Sequence, residues 1–127
     1  SMSMHESAEM YLETIYTLSQ KKNNVRSIDV AESLGYSRPS ISRAVSLLKK
    51  DGYLLMDDDG FLTLTEAGRA VAEKIYERHT VLTAALIALG VDEQTAAEDA
   101  CRIEHVISDN SLAAITKHLK QYGKGTV

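Results

Sequence analysis

Hydrophobic positions recur at helical spacing along most of this 127-residue chain, and short polar or glycine-containing breaks separate the segments. The first segment predicts a helix from His5 to Ser19. Two short helical segments follow, one capped by Ser27 and one capped by Ser37 with Pro39 in its first turn, where proline's missing N–H costs nothing. Gly35 stands between them as a helix stop. This arrangement predicts a helix-turn-helix.

A different spacing appears directly after the helix-turn-helix. Two short apolar runs, Tyr53–Met56 and Phe61–Leu64, bracket an Asp-Asp-Asp-Gly sequence at 57–60. Short apolar runs around an Asp-Gly turn predict a β-hairpin. A helix-turn-helix followed at once by a hairpin is the order of elements in a winged helix.

The second half of the chain returns to helical spacing. The pattern predicts a long helix from Glu66 to about Leu89, a fifth from Asp92 to Ile107, and a sixth from Ser111 to Tyr122 with Asp109 or Asn110 as its cap. Residues 123–127 carry two glycines and predict a frayed tail.

These elements predict a mainly α fold in two parts. We expect an N-terminal winged helix-turn-helix with a small β-hairpin wing over residues 4–65. An α-helical domain should follow over residues 66–122.

Composition narrows the class of protein. With 44% hydrophobic and 25% charged residues, the chain has ordinary globular composition. Its longest apolar run, Val81 to Leu89, is too short to span a bilayer, and no apolar leader precedes the first helix. A single cysteine forms no intrachain disulfide and fits a reducing compartment. We therefore expect a cytoplasmic protein with no membrane partner.

Charge is distributed unevenly along the chain. The net charge of −4 argues at first against a nucleic-acid partner. Between Lys21 and Tyr53, however, seven basic residues face three acidic ones, a local charge of +4, so the remainder carries −8. A basic segment that coincides with the helix-turn-helix favours DNA binding.

A Cys-x-x-Glu-His sequence lies in the predicted fifth helix. Cys101, Glu104 and His105 stand three and four residues apart, so they would share one helix face and outline a site for a first-row metal. Met10 in the first helix is a further soft ligand. The alternative is a buried free cysteine, a solvated glutamate and a hydrogen-bonded histidine.

Several segments together resemble the diphtheria toxin repressor family of metal-dependent transcription factors. They are Glu9–Tyr16, the winged helix, Arg78-His79 and Glu98–Asp109, and the resemblance covers roughly His5 to Leu119. It implies a winged-helix domain followed by a helical metal-binding and dimerisation domain, with operator binding permitted by metal bound between them. The chain shows no counterpart of the family's C-terminal SH3-like domain, so we expect a short form.

The resemblance also implies the ligands. Met10, Cys101, Glu104 and His105 stand where the iron-responsive branch has its principal activating site. The manganese-responsive branch has carboxylates where Met10 and Cys101 stand here. Because sulfur ligands favour softer divalent ions than Mn²⁺, Fe²⁺ is the expected ion, with Mn²⁺, Co²⁺, Ni²⁺ or Zn²⁺ as alternatives.

A second metal is less well defined by the resemblance. Thr83 and Ala97 stand where the iron branch has a Glu and a His, so its ancillary site looks incomplete. Glu13, His79 and Glu98 are possible ligands of a second ion. The alternative is that both glutamates are solvated helix charges and that His79 is a core or interface histidine.

The third helix supplies the expected DNA contacts. Its N-terminal part should enter the major groove, with Arg43 pairing with guanine and Pro39 touching a thymine methyl. Ser hydroxyls and the helix N-terminus suit phosphates, and Lys50 should contact one as well. The iron branch commonly has Gln at Arg43, so its operator sequence does not carry over. The expected DNA-binding residues are Ser27, Ser37, Arg38, Pro39, Ser40, Ser42, Arg43 and Lys50.

We therefore expect a metal-activated repressor, with Fe²⁺ as the ion, that binds double-stranded operator DNA as a homodimer. One alternative is a manganese-responsive regulator of the same family. Another is a winged-helix sensor of thiol oxidation at Cys101. An enzyme that uses the Cys/Glu/His cluster is disfavoured, because the sequence contains no oxyanion loop or phosphate cradle, and a structural adaptor would leave the basic helix unexplained.

Overall fold

The computed structural model of this chain describes residues 4–122, which form six helices and one two-stranded antiparallel sheet. The predicted mainly α winged-helix fold is confirmed, and the tail predicted over 123–127 lies outside the described residues. The elements are α1 (Met4–Lys21), α2 (Ser27–Leu34), α3 (Arg38–Lys50), β1 (Leu54–Met56), β2 (Leu62–Leu64), α4 (Glu66–Ala88), α5 (Glu93–Ile103) and α6 (Asp109–Tyr122).

The chain divides into two compact units, with the boundary inside α4 between Glu73 and Lys74. The predicted domains divide earlier, between Thr65 and Glu66. The first turns of α4 fall in the first unit because Ala72 is buried in its core. That core is otherwise built from buried aliphatic side chains of α1, α2, α3 and the hairpin, namely Leu12, Ile15, Val25, Val30, Ala31, Ile41, Val45, Leu48, Leu54 and Leu62.

Local capping sets the ends of the helix-turn-helix. Ser37 caps α3 by accepting a 3.3 Å hydrogen bond from the backbone N–H of Ser40. Gly35 ends α2 in the left-handed region at φ 70°. The predicted cap of α2 is wrong, because Ser27 is the first helical residue and Arg26 is the cap. Asp29 accepts a 2.8 Å hydrogen bond from the Arg26 backbone N–H, which shifts the helix start by one residue.

The hairpin is the wing. Leu54 pairs with Leu64 and Met56 with Leu62 in an antiparallel register. Asp57 organises the turn, since its Oδ1 accepts 2.9 Å hydrogen bonds from the backbone N–H groups of Asp59 and Phe61. Asp57 therefore stabilises the turn that the Asp-Gly sequence predicts.

A close approach joins the start of α4 to the residue before the wing. Thr65 accepts a 3.1 Å hydrogen bond from Gly68 N–H and donates one of 2.7 Å to the Gly52 carbonyl. A Cβ on Gly68 would lie 2.1 Å from the carbonyl oxygen of Tyr53. Only glycine fits here without a backbone shift.

In the second unit, Asp92 caps α5 and accepts a 3.0 Å hydrogen bond from Thr95 N–H. The prediction that this helix reaches Ile107 is wrong, because α5 ends at Ile103 and a turn follows. The predicted cap of the sixth helix is also wrong. Ser108 takes that role by accepting a 3.1 Å bond from Ser111 N–H. The buried apolar residues of this unit are Ile75, Val81, Leu82, Ala96, Ala100 and Leu119.

Candidate metal centre and nucleic-acid interface

Three predicted ligands from two helices converge in the second unit. His79 Nδ1 on α4 lies 3.2 Å from Glu104 Oε1 and 3.7 Å from Cys101 Sγ on α5. One ligand atom of each of the three residues lies within 4.8 Å of the other two. This imidazole, thiol and carboxylate could together hold one metal ion.

The electrostatics of this cluster favour a positive charge. Hydrogen bonds to Cys101 and then to Glu104 raise the pKa of His79 to about 10, from an ordinary value of 6.5, because both partners stabilise the protonated ring. Glu104 is fully buried, at 0% exposure. A buried carboxylate needs a counter-charge, and in this cluster the protonated imidazole supplies it.

One carboxylate oxygen of Glu104 tests whether a metal fits. Its Oε2 is buried and has no hydrogen-bond partner among residues 4–122. A buried oxygen without a donor is costly, and coordination to a cation would satisfy its lone pair. The donor set of sulfur, nitrogen and carboxylate oxygen also suits divalent iron, cobalt, nickel and zinc. The residues present therefore fit a divalent metal.

His105 stands in the turn that follows α5. The predicted helix does not continue through His105, because Glu104 is the C-terminal cap of α5. Cys101 and Glu104, three residues apart, nevertheless bring their ligand atoms together at His79. Cys101 stays within the helix and is exposed. The thiol is thus accessible, while the carboxylate three residues later is buried.

Sequence reasoning missed a buried arginine that contacts the turn after α5. Arg78, 8% exposed, donates hydrogen bonds from Nη1 to the carbonyl oxygens of Glu104, at 3.2 Å, and Ile107, at 2.6 Å. Its Nη2 donates to Asp109 Oδ1 at 2.5 Å. These carbonyls would otherwise accept from donors further along a helix. The Arg-His pair flagged in the sequence was the available signal, but no periodicity shows which carbonyls an arginine will reach.

Three further predicted ligands lie on α1 and α5. Met10 is half-buried on α1 in the first unit, where Tyr36 Oη donates to its Sδ at 3.9 Å, and Glu13 is half-buried on the same helix. Glu98 is exposed on α5 and, among the described residues, does not join a ligand cluster. The roles of Met10, Glu13 and Glu98 stay predictions.

The predicted DNA contacts lie at the start of α3 and close to it. Ser37, Arg38, Pro39, Ser42 and Arg43 are exposed. Ser40 is half-buried, and its Oγ accepts a 3.4 Å hydrogen bond from Arg43 Nη2. Lys50 is exposed at the end of α3, and Ser27 is half-buried in the first turn of α2.

A second arginine was also missed. The Arg26 guanidinium lies 4.5 Å from the centroid of the Phe61 ring, a cation–π contact between the start of α2 and the wing. Arg26, Arg38, Ser27 and Ser42 are among the residues that line a cleft of about 300 Å³. Two cations and two hydroxyls at one cleft suit phosphate oxygens. Arg26 belongs to the basic segment, which was the signal available in the sequence.

The second unit also has an apolar groove of about 570 Å³. Leu89 is 81% exposed and Tyr122 is 73% exposed at this groove. The other apolar side chains in its lining are Leu82, Ala85, Leu86, Ala88, Ile103, Ile107, Ala114, Ile115 and Leu119. Exposed apolar area of this kind marks interaction surfaces. Across residues 4–122, each helix is too short or too polar to span a membrane.

Two family models match the chain in sequence order. The first, iron dependent repressor, N-terminal DNA binding domain, matches residues 3–61. The second, iron dependent repressor, metal binding and dimerisation domain, matches residues 65–124.

Known relatives of both metal types are similar to this chain. HTH-type transcriptional regulator MntR of Lysinibacillus sphaericus is 38% identical over 109 residues, which cover 86% of this chain and 78% of MntR. Iron-dependent repressor IdeR of Mycobacterium tuberculosis is 35% identical over 115 residues, covering 90% of this chain and 50% of IdeR. The solved manganese-dependent transcriptional repressor in complex with manganese superposes with a TM-score of 0.82 at 30% identity, covering 89% of this chain and 52% of that one. This chain thus spans about half the length of the last two proteins.

Proposed function

Because this chain belongs to the iron-dependent repressor family of metal-dependent transcriptional regulators, we propose that it is a repressor that Fe²⁺ activates for operator binding. Members of this family are DNA-binding repressors rather than enzymes. The observation that carries the proposal is the convergence of His79, Cys101 and Glu104, with one buried carboxylate oxygen left without a partner.

The principal metal site of the proposal consists of Met10, Cys101, Glu104 and His105. When bound, a divalent ion would supply positive charge and accept donor atoms from these residues of α1 and the end of α5. Cys101 would hold the ion as a thiolate, and Glu104 would offer the unpartnered Oε2. His79 lies 3.7 Å from the cysteine sulfur, which supports a role for it in the same centre or in a second ion's site with Glu13 and Glu98.

The choice of Fe²⁺ rests on sulfur. A thiolate and a thioether favour later, softer divalent ions, whereas an all-oxygen and imidazole shell suits Mn²⁺. Co²⁺, Ni²⁺ and Zn²⁺ should also bind in vitro because affinity follows the general order of divalent ions. A manganese-responsive regulator is the second candidate, favoured by the similarity to a manganese-dependent repressor and by the His79 imidazole within the cluster.

On the DNA side, α3 is the recognition helix of the proposal. Arg43 reads a guanine in the major groove, while Pro39 contacts a thymine methyl. Phosphates are bound by Lys50, by serine hydroxyls and by Arg38, and Arg26 joins them at the cleft beside the wing. The serines proposed for this role are Ser27, Ser37, Ser40 and Ser42.

The active repressor is a homodimer that acts in the cytoplasm. The apolar groove of the second unit supports this proposal, since Leu89 and Tyr122 are exposed there. A two-fold dimer would present two recognition helices roughly 34 Å apart, one helical turn of DNA. Metal would populate the DNA-competent arrangement, which is only fractionally populated without it.

A thiol redox sensor is the remaining alternative, favoured by one observation. Cys101 is exposed, and its sulfur lies 3.7 Å from the His79 ring. Such a sensor would lose DNA binding under peroxide and would not respond to a chelator. The metal-activated repressor would instead lose DNA binding when a chelator removes the metal, without any oxidant.

The test is DNA binding by purified protein in three states: Fe²⁺-loaded under anaerobic conditions, chelated, and peroxide-treated without metal. The duplex is selected from a random library by the loaded protein, and a scrambled duplex at the same salt concentration is the control. Binding only by the loaded protein supports the proposal. Met10→Asp combined with Cys101→Asp should shift the preferred ion toward Mn²⁺. Equal binding in the loaded and chelated states contradicts metal activation.

A further inference from the structure

Arg78 connects α4 to the segment that carries two proposed ligands. Its Nη1 donates to the carbonyls of Glu104 and Ile107, which stand on either side of His105. Its Nη2 donates to Asp109 in the first turn of α6, where Lys74 Nζ also lies 3.5 Å from the carboxylate. One planar guanidinium therefore spans the whole turn between α5 and α6.

The next residue in α4, His79, contacts the side chain of the same glutamate. His79 Nδ1 lies 3.2 Å from the Glu104 carboxylate, while Arg78 holds the Glu104 main-chain carbonyl. Consecutive residues of α4 thus fix both the backbone and the side chain of one proposed ligand. Because Arg78 and His79 are adjacent in α4, the two contacts together fix the position of the Glu104 carboxylate relative to the His79 imidazole.

The local sequence favours a different conformation. Its apolar spacing predicts that α5 continues to Ile107, which would place Glu104 and His105 on a regular helix. In the structure the helix ends at Ile103, and Arg78 occupies the carbonyls of Glu104 and Ile107. A regular helix through Ile107 would direct the Glu104 carbonyl to the backbone N–H of Ser108. A buried guanidinium that already donates to this carbonyl, to Ile107 and to a carboxylate competes with that bond, because its planar fork donates in several fixed directions.

We propose that Arg78 is a positioning residue for the metal centre: it holds the turn that follows α5 and so orients Glu104 and His105 for metal coordination. This inference rests on the proposed function. It assigns metal affinity to a residue that does not itself bind the metal, in the way that outer partners orient the ligands of metal sites.

The test compares Arg78→Met, Arg78→Lys and Arg102→Met by anaerobic titration with Co²⁺ alone. Arg102 is a matched control, because it is an exposed arginine that pairs with Asp99 and lies next to Cys101. Arg78→Met should weaken Co²⁺ binding by about 10- to 100-fold. Arg78→Lys should recover part of the affinity, since it restores the charge but not the planar fork. Arg102→Met should bind as the wild type does.

A spectroscopic readout separates positioning from general damage. Cys101 lies inside α5, so its thiolate-to-Co²⁺ charge-transfer band should persist in the Arg78 variants while the ligand-field bands change. Backbone chemical shifts of residues 104–107 should move toward helical values. Folded Arg78 variants with wild-type affinity and unchanged spectra overturn the inference. If Arg78→Met does not fold, Arg78→Lys decides by the same criteria.

The same titration distinguishes failure of this inference from failure of the proposed function. Wild-type protein that binds no Co²⁺, or a Cys101→Ala variant that retains the charge-transfer band, contradicts the metal centre itself and the Arg78 role with it. A wild-type band that Cys101→Ala removes, together with Arg78 variants that match the wild type, overturns only the role of Arg78.

Discussion

His79 and Glu104 are 25 residues apart in the chain, yet the imidazole Nδ1 lies 3.2 Å from the carboxylate Oε1. The pairing gives a fully buried carboxylate a cationic partner, because hydrogen bonds to Cys101 and Glu104 keep the pKa of His79 well above its ordinary value. It also leaves the second carboxylate oxygen without a donor among the described residues. A protonated imidazole therefore serves as the counter-charge in a cluster whose donor atoms suit a divalent ion.

The first prediction concerns base reading. Arg43→Ala should cost about 1–3 kcal/mol on the selected duplex and little on scrambled DNA, because a bidentate contact to guanine carries sequence information. Fluorescence anisotropy on both duplexes measures the difference. Equal losses on the two duplexes would make Arg43 a backbone contact.

The second prediction concerns a phosphate contact and is tested with Lys50→Ala. Lys50 is exposed at the end of α3, and a phosphate contact there should affect all DNA alike. Its loss should lower affinity on both duplexes and reduce the slope of log affinity against log salt by about one ion. An unchanged salt slope would exclude a phosphate contact.

Oligomeric state tests the apolar groove. Leu89→Glu should shift the protein toward monomer, because it places a charge on an apolar side chain that is 81% exposed at the groove. Light scattering at tens of micromolar measures the mass. Leu55→Glu, in the wing and 60% exposed, is the control and should leave the mass unchanged. A dimer that survives Leu89→Glu would place the subunit contact elsewhere.

Replacing Gly68 should lower the stability of the folded protein. Alanine favours helices over glycine by about 1 kcal/mol, but a Cβ here would lie 2.1 Å from the Tyr53 carbonyl oxygen. Gly68→Ala should therefore destabilise the folded protein by about 1–3 kcal/mol through overpacking, measured by urea unfolding. Ala70→Gly, an exposed position in the same helix, gives the propensity effect alone. A stabilised Gly68→Ala protein would contradict the close approach.

Acid should weaken the contact between Asp109 and Arg78. The hydrogen bond from Arg78, and then the charge of Lys74, lower the pKa of Asp109 below 3.8. Because the folded-state pKa is the lower one, the carboxylate stabilises the fold above about pH 4, and that contribution disappears as pH falls through the folded value. Chelated wild type should melt above Asp109→Asn at pH 6, and the difference should shrink toward pH 3. Asp58→Asn, in the wing turn, is the control. A difference that does not change with pH would contradict this account.

Much of the fold follows from short-range signals in the sequence. Helical spacing, the Ser37 cap and the Asp-Gly turn depend on neighbouring residues, and the structure contains the elements they predict. The end of α5 does not follow from such signals. In the turn that follows α5, Arg78 donates to carbonyls 26 and 29 residues further along the chain. Local periodicity contains no information about such a partner.

The candidate site, too, could be predicted from the sequence only in part. The Cys-x-x-Glu-His spacing marks ligands, but not that His79 would lie beside Cys101, a contact across 22 residues between two helices. Arg26 over Phe61 is likewise a contact between elements. Residue types predict the chemistry of a site, whereas the packing of helices decides which residues meet.

The central claim is that metal at Cys101 activates DNA binding. Its most direct test is the ratio of affinities for the selected duplex with Fe²⁺ and with chelator, measured anaerobically for wild type and for Cys101→Ala at one salt concentration. The account predicts a ratio of about 5- to 150-fold for wild type, typical of coupling between two sites, and a ratio near one for the variant. Chelated wild type that binds as tightly as the loaded protein, or a Cys101→Ala protein that responds normally to Fe²⁺, would contradict it.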